Sequence, residues 1–294
     1  MYAVAVVLLS ALVAPWAFLL VQWLGTNVHA AAWLARQPFR RVYDRCVLMT
    51  ALAGLLPLLR AADIRSCAAL GYVRADHWWR HGLLGFCLGI ASFLVAGVLL
   101  MALGARTWKE GIEGSTLISS MAKFTITGMV VALIEETLFR GGLQGVLQRS
   151  GHFPRAIAIT SAVYSLVHFL KPQTAGIAAS AVTWLSGFQY LGQVLAKSFG
   201  QPGVTAGFVT LWLAGCVLGL AFAETKGLYL SMGLHAGWVL TLKSYTFCTA
   251  PVIMAEPAWW VGNDLIASPV VWPVLVVLFF GVLWLCRNKL QPLR

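Results

Sequence analysis

Apolar runs long enough to cross a hydrocarbon bilayer recur along the whole chain, and no other feature narrows its fold as far. A helix that spans a membrane needs roughly 20 apolar residues. Runs of this kind occupy residues 3–24, 81–103, 118–139, 156–170, 204–223, 228–247 and 270–286. Hydrophobic types fill 60% of positions and charged types 11%, where a soluble domain runs at about 45–50% and about 25%. A water-soluble fold of this composition would expose apolar patches that soluble monomers do not carry. A soluble globular domain, a disordered chain and a nucleic-acid-binding module are therefore excluded. The expected fold class is all-α: a polytopic transmembrane helix bundle of about seven to eight spans plus an interfacial helix.

Three stretches refine this expectation. The first run lacks a basic leader and is longer than a signal segment, so it reads as a retained span. Residues 46–59 are short and carry Gly54 and Pro57, which predicts a shallow hairpin or half-span. Residues 178–199 mix Trp184, Phe188, Tyr190 and Leu191 with Gln189, Gln193 and Lys197. They read as the interfacial helix, ended by Gly200-Gln-Pro-Gly203.

Net charge is +11, from 21 Lys and Arg against 10 Asp and Glu. Without a dense basic run interleaved with aromatics, this excess fits the positive-inside bias and contact with membrane lipid. Loop 25–45 carries Arg36, Arg40, Arg41 and Arg45, and segment 60–80 carries Arg60, Arg65, Arg74 and Arg80. The two share a side if 46–59 does not cross. Arg149, Arg155, Lys226, Arg287, Lys289 and Arg294 then also lie inside, giving an outer N-terminus and a cytoplasmic C-terminus. The compact layout suggests a bacterial inner membrane. The six cysteines contain no Cys-x-x-Cys pair, so neither a disulfide framework nor a thiolate metal site is expected. No oligomeric state is legible.

An ionisable side chain inside a span costs several kcal/mol unless something offsets it, so the polar residues within the runs are the functional candidates. Glu135 and Glu136 are the sole adjacent acid pair among the ten acidic residues, and they close an apolar helix. Arg140 follows Glu136 by four, so the two share a helix face and can pair; Glu135 is left to point elsewhere, into the bundle. Tyr164 and His168 lie one turn apart on another run. On a third, His235 sits between Gly233 and Gly237, whose spacing permits close helix packing. Each histidine taken alone reads more simply as a packing residue, and the acids alone could be a snorkelling cluster. Together, three helices supply one carboxylate and two imidazoles. Two chemistries fit: a glutamate-activated water with imidazole donors for the oxyanion, or a divalent metal such as zinc held by Glu135, His168 and His235. The lack of a His-Glu-x-x-His motif weakens the second, and no cofactor is favoured.

The segments Glu135-Glu136-Thr-Leu-Phe-Arg140, Tyr164-Ser-Leu-Val-His168 and His235-Ala-Gly-Trp-Val239 resemble the CPBP intramembrane protease family, which includes the CAAX prenyl endopeptidases. The resemblance covers residues 118–247 and divides the chain into N-terminal helices with a basic segment (1–117), a protease-like core (118–247), and a loop with a last span (248–294). It implies an endopeptidase in which Glu135 activates water with help from His168. His235 stabilises the oxyanion, and Glu136 and Arg140 form a supporting ion pair. Tyr164 stands where Phe is commoner. Val239 replaces a usual Asn, removing a donor for which Trp238 or a backbone N–H would have to compensate. The implied partner is a membrane-associated protein or peptide substrate. A degenerate member that only binds, as an immunity protein would, is the rival reading.

Overall fold

The computed structural model describes residues 2–74, 76–149, 151–169, 176–198, 203–252, 261–262, 264–290 and 292. Its helices are α1 (Tyr2–Asn27), α2 (Phe39–Ala61), α3 (Trp78–Ala102), α4 (Gly114–Glu136), α5 (Gly145–Gln148), α6 (Phe153–Phe169), α7 (Ser186–Ser198), α8 (Val204–Thr225), α9 (Tyr229–Cys248) and α10 (Val271–Asn288). A π-helical stretch, Thr137–Gln144, joins α4 to α5, so one helix continues from Gly114 to Gln148. Two short strands, β1 (Arg106–Trp108) and β2 (Thr249–Pro251), pair antiparallel. The chain is an all-α polytopic membrane protein.

Among the described residues six helices are long and apolar enough to cross a membrane: α1, α2, α3, the continuous Gly114–Gln148 helix, α8 and α10. The expected spans at 156–170 and 228–247 are not in that set. Helix α6 has 17 residues, a rise of about 26 Å against about 30 Å of hydrocarbon. Helix α9 reaches 20 residues but carries His235, Thr241, Lys243 and Ser244. Residues 46–59 do not form a hairpin: they belong to the unbroken 23-residue helix α2, with Pro57 inside it. Proline removes one backbone donor, which a membrane helix tolerates. The charged residues of α2 fall in its first two turns and, with Arg60, in its last, and the apolar part between them rises about 21 Å. The amphipathic segment is helical from Ser186 to Ser198, after a 3-10 turn at Ala179–Ala181. Residues 200–202 of its expected terminator, and Arg294, lie outside the described residues.

The chain divides into two compact units. The first comprises residues 1–63 and 167–202. Its core joins Ala11, Ala14 and Phe18 of α1, Phe39, Val42, Tyr43 and Cys46 of α2, and Tyr190 and Val194 of α7. Phe18 meets Phe39 edge-on at 5.5 Å between ring centroids, and Ser10 and Thr50 share a hydrogen bond across α1 and α2.

The second unit comprises residues 64–166 and 203–294. Its tightest pairing is α3 against α9, where small residues let the backbones approach. A Cβ on Gly237 would stand 3.0 Å from the Ile90 nitrogen, and one on Gly233 would stand 2.8 Å from that of Phe86. Gly85 and Gly89 answer from α3, meeting the backbone at Leu230, Leu234 and Gly237. Around this seam, Phe93 and Leu100 of α3, Val217, Leu218 and Ala221 of α8, Leu230 and Leu234 of α9 and Leu275 of α10 form the buried core. One end is clasped by Arg106. Its Nε donates to the Thr249 hydroxyl at 2.7 Å, its Nη2 donates to the Thr249 carbonyl at 2.8 Å, and its guanidinium lies 5.2 Å from the Tyr245 ring centre.

Candidate active site

The second unit gathers four of the polar residues singled out in the sequence around the end of α4, with Tyr164 as their aromatic wall. Adjacent residues on a helix diverge by about 100°, so Glu135 and Glu136 take different surroundings. Glu136 is fully buried, whereas the Glu135 side chain keeps 25% of its surface exposed. Glu135, expected to turn into the bundle, does face His235 with a buried Oε2, yet Glu136 is the more deeply buried of the two acids. The reason is that Arg140 accompanies Glu136 one turn on, so the acid that enters brings its counter-charge along. A buried carboxylate persists only when paired and hydrogen-bonded.

Oε1 of Glu136 accepts from Arg140 Nη1 at 3.2 Å and lies 2.8 Å from His235 Nδ1, ninety-nine positions away in the chain. Because an ionised carboxylate can only accept, the imidazole carries its proton on Nδ1 in this contact. That turns Nε2 toward Glu135, whose Oε2 stands 3.8 Å away. Glu136 therefore orients the imidazole, and Glu135 faces its other nitrogen from the more exposed side.

Arg140 is also fully buried. Its Nη2 donates to the Gly215 carbonyl at 3.1 Å, and its guanidinium carbon lies 4.8 Å from the Tyr164 ring centre, a stacking that guanidinium planes favour. Tyr164 in turn meets His235 at 6.1 Å and Phe139 at 5.2 Å, both edge to face. The aromatic at position 164 thus packs against both the cation and the imidazole. One turn beyond Arg140, Gln144 repeats its anchoring, with Nε2 donating to the Gly219 carbonyl at 2.8 Å. Sequence reasoning missed Gln144. The available signal was the matching four-residue spacing of Arg140 with Gln144 and of Gly215 with Gly219. Arg140 and Gln144 both lie on the π-helical stretch, a departure from α geometry that often marks functional sites.

One of the singled-out residues stands apart. Trp238 is turned toward α3: its indole N–H donates to the Ser92 hydroxyl at 2.9 Å, and its ring stacks on Phe93 at 5.5 Å. That hydrogen bond removes it from the compensating role for the donor lost at Val239. His168 lies on the last turn of α6, four residues beyond Tyr164, and belongs to the first unit, while residues 135, 136, 140, 164 and 235 belong to the second.

Among the described residues no three His, Cys, Asp or Glu side chains form a group able to hold a metal ion. His235 has its Nδ1 engaged by Glu136, so one nitrogen remains for any further partner.

A family model described as type II CAAX prenyl endopeptidase Rce1-like matches residues 117–241. No curated protein and no solved structure matches the chain.

Proposed function

Because residues 117–241 belong to the CPBP family of intramembrane proteases, in its Rce1-like type II CAAX prenyl endopeptidase group, we propose that this chain is an endopeptidase of the glutamic type, cutting a peptide bond in a membrane-associated protein or peptide. The carrying observation is the imidazole held by one carboxylate and facing a second. Glu136 fixes His235 through Nδ1 at 2.8 Å, while the partly exposed Glu135 faces Nε2 at 3.8 Å.

In this reading Glu135 takes a proton from a water molecule, and the hydroxide adds to the scissile carbonyl carbon. The tetrahedral oxyanion is met by His235 Nε2, which donates from an imidazolium that has taken its second proton from solvent before the attack and keeps it through the cycle. As the C–N bond breaks, the proton held by Glu135 passes to the departing amine. His168 is assigned its assisting role by the family pattern. With Val239 in place of the usual Asn, the burden of oxyanion stabilisation falls on His235. The substrate class follows the family only as far as a membrane-tethered chain; nothing in the residues selects a prenyl group.

The experiment is to map new protein termini in membranes from cells with and without the chain, and to repeat the cleavage with purified protein in the presence of a metal chelator. Termini that appear only with the chain, produced equally under chelation, are the expected result. Unchanged termini would return the protein to the class of membrane binding modules, and loss of cleavage under chelation would favour the metal-dependent scheme.

The chain is an integral membrane protein. We place its C-terminus in the cytoplasm and its N-terminus outside: with α2 entering the membrane without crossing, and α6 and α9 crossing beside the longer helices, Arg149, Arg155, Lys226 and Arg287 all fall on the cytoplasmic side. A cysteine introduced at position 149 should react with an impermeant thiol reagent in inverted vesicles and not in intact cells; the reverse pattern overturns the orientation.

A further inference from the structure

A short turn outside the family-matched segment bears directly on both helices that carry the site. Residues 66–72 close on themselves: Gly71 N–H donates to the Ala68 carbonyl at 2.9 Å, and Tyr72 N–H donates to that of Cys67 at 2.9 Å. This is the double closure that ends a helical turn on a left-handed residue, and Gly71 takes that conformation with φ of +98°. The turn is pressed against its surroundings. A Cβ on Gly71 would stand 2.8 Å from the Phe222 ring and 3.1 Å from Leu228.

From this turn three consecutive residues reach the site's supports. The Leu70 carbonyl lies against Gly141 of the π-helical stretch, 2.7 Å from where a Cβ would be. The Gly71 carbonyl accepts the N–H of Leu228, the residue that precedes α9, at 3.0 Å. The Tyr72 hydroxyl and the Thr137 hydroxyl are 2.5 Å apart. Thr137 already directs its own proton to the Leu133 carbonyl, so Tyr72 is the donor. Thr137 immediately follows Glu136, and Tyr72 also packs edge-on against Tyr229 at the first turn of α9. One strand of three residues thus links the helix of Glu135 and Glu136 to the helix of His235.

We infer that Leu70–Gly71–Tyr72 is a positioning strap for the active site, with the Tyr72 hydroxyl as its adjustable contact: it sets Thr137, and through it the approach of the two glutamates to His235. Side chains that must meet within a few tenths of an ångström need outer support of this kind. A strap outside the matched segment lets this chain tune a common core with its own residues. The inference rests on the protease reading for its effect on rate, and on geometry alone for its effect on the helix.

The test uses the intact chain in lipid nanodiscs, with two separate readouts. Amide hydrogen exchange over residues 137–144 should quicken by about fivefold in Tyr72→Phe, and adding Tyr72→Phe to Thr137→Val should change nothing further, because Thr137→Val has already removed the Tyr72–Thr137 hydrogen bond along with that to the Leu133 carbonyl. Thr137→Ser should restore wild-type exchange. With a quenched-fluorescent peptide ending in a farnesylated Cys-aliphatic-aliphatic-X tail as probe, kcat in Tyr72→Phe should fall about five- to tenfold while KM stays within about twofold. Unchanged exchange in Tyr72→Phe, or effects that multiply in the double variant, would overturn the strap. So would a rise in KM with kcat preserved. If Glu135→Gln cleaves the probe as fast as wild type, or wild type leaves it uncut, the assignment of this reaction fails while the exchange result still decides the strap.

Discussion

Glu135→Gln is expected to lower the rate of peptide-bond hydrolysis by about a thousandfold, the middle of the range for loss of a positioned general base. The substitution keeps shape and size but leaves an amide that cannot take the proton of the attacking water. It should not unfold the protein. Glu135 keeps a quarter of its side-chain surface exposed, while the buried pair that holds the helices together is made by its neighbour. Turnover of a Glu135-dependent substrate, measured beside a thermal melt in the same detergent, checks both halves of the statement. Wild-type turnover in a folded Glu135→Gln protein would mean that the acid facing His235 does not act on water.

Arg140→Met should do the opposite and act on the fold. The guanidinium is fully buried, pairs with Glu136 at 3.2 Å, donates to Gly215 at 3.1 Å and stacks on Tyr164. Its removal strands a carboxylate in an apolar interior, and breaking a buried pair from one side costs about 3–5 kcal/mol. Against a total stability of about 5–15 kcal/mol, that leaves a protein prone to unfold. Arg140→Lys should not rescue it, because an ammonium cannot reproduce the planar fork that serves carboxylate, carbonyl and ring together. Converting Glu136 to Gln in the same chain should recover part of the loss, since the stranded charge is then gone. Unfolding in graded denaturant reports these differences. A double variant as unstable as the sum of the two singles would show that the pair is not coupled.

Both predictions turn on a distinction that neighbouring residues could not make by themselves. The Glu136–Arg140 spacing indicated the ion pair, because residues four apart on a helix meet whatever surrounds them. Which acid faced the interior depended on what α9 offered, and there His235 presents Nδ1 to Glu136. The same limit explains Trp238, which lies next to the motif in the chain but donates to Ser92 on α3. It also explains Gln144 and Tyr72, whose partners are 75 and 65 positions away.

Local rules likewise set the helix boundaries only in part. Gly54 and Pro57 suggested a break in residues 46–59, yet α2 runs through both. Breaker residues state a preference, whereas a membrane helix keeps its remaining hydrogen bonds because an unsatisfied backbone in lipid costs more. The glycines of α9 were legible as small residues at a packing interval. That Gly82, Gly85 and Gly89 of α3 were their counterparts required the helices to be set against each other.

By itself the sequence determined that the chain lives in a membrane as a helix bundle, and that its one adjacent acid pair, Glu135 and Glu136, lies within a span with Arg140 one turn on and His235 on a separate helix. These follow from composition, from runs of fixed length and from spacing along one helix, all short-range quantities. The tertiary structure decided which carboxylate orients His235 and which faces it from the exposed side, what holds Trp238, and how a turn at Gly71 touches both helices of the site. Those are contacts between distant segments, and their energies depend on burial and counter-charge, which exist only once the helices have packed.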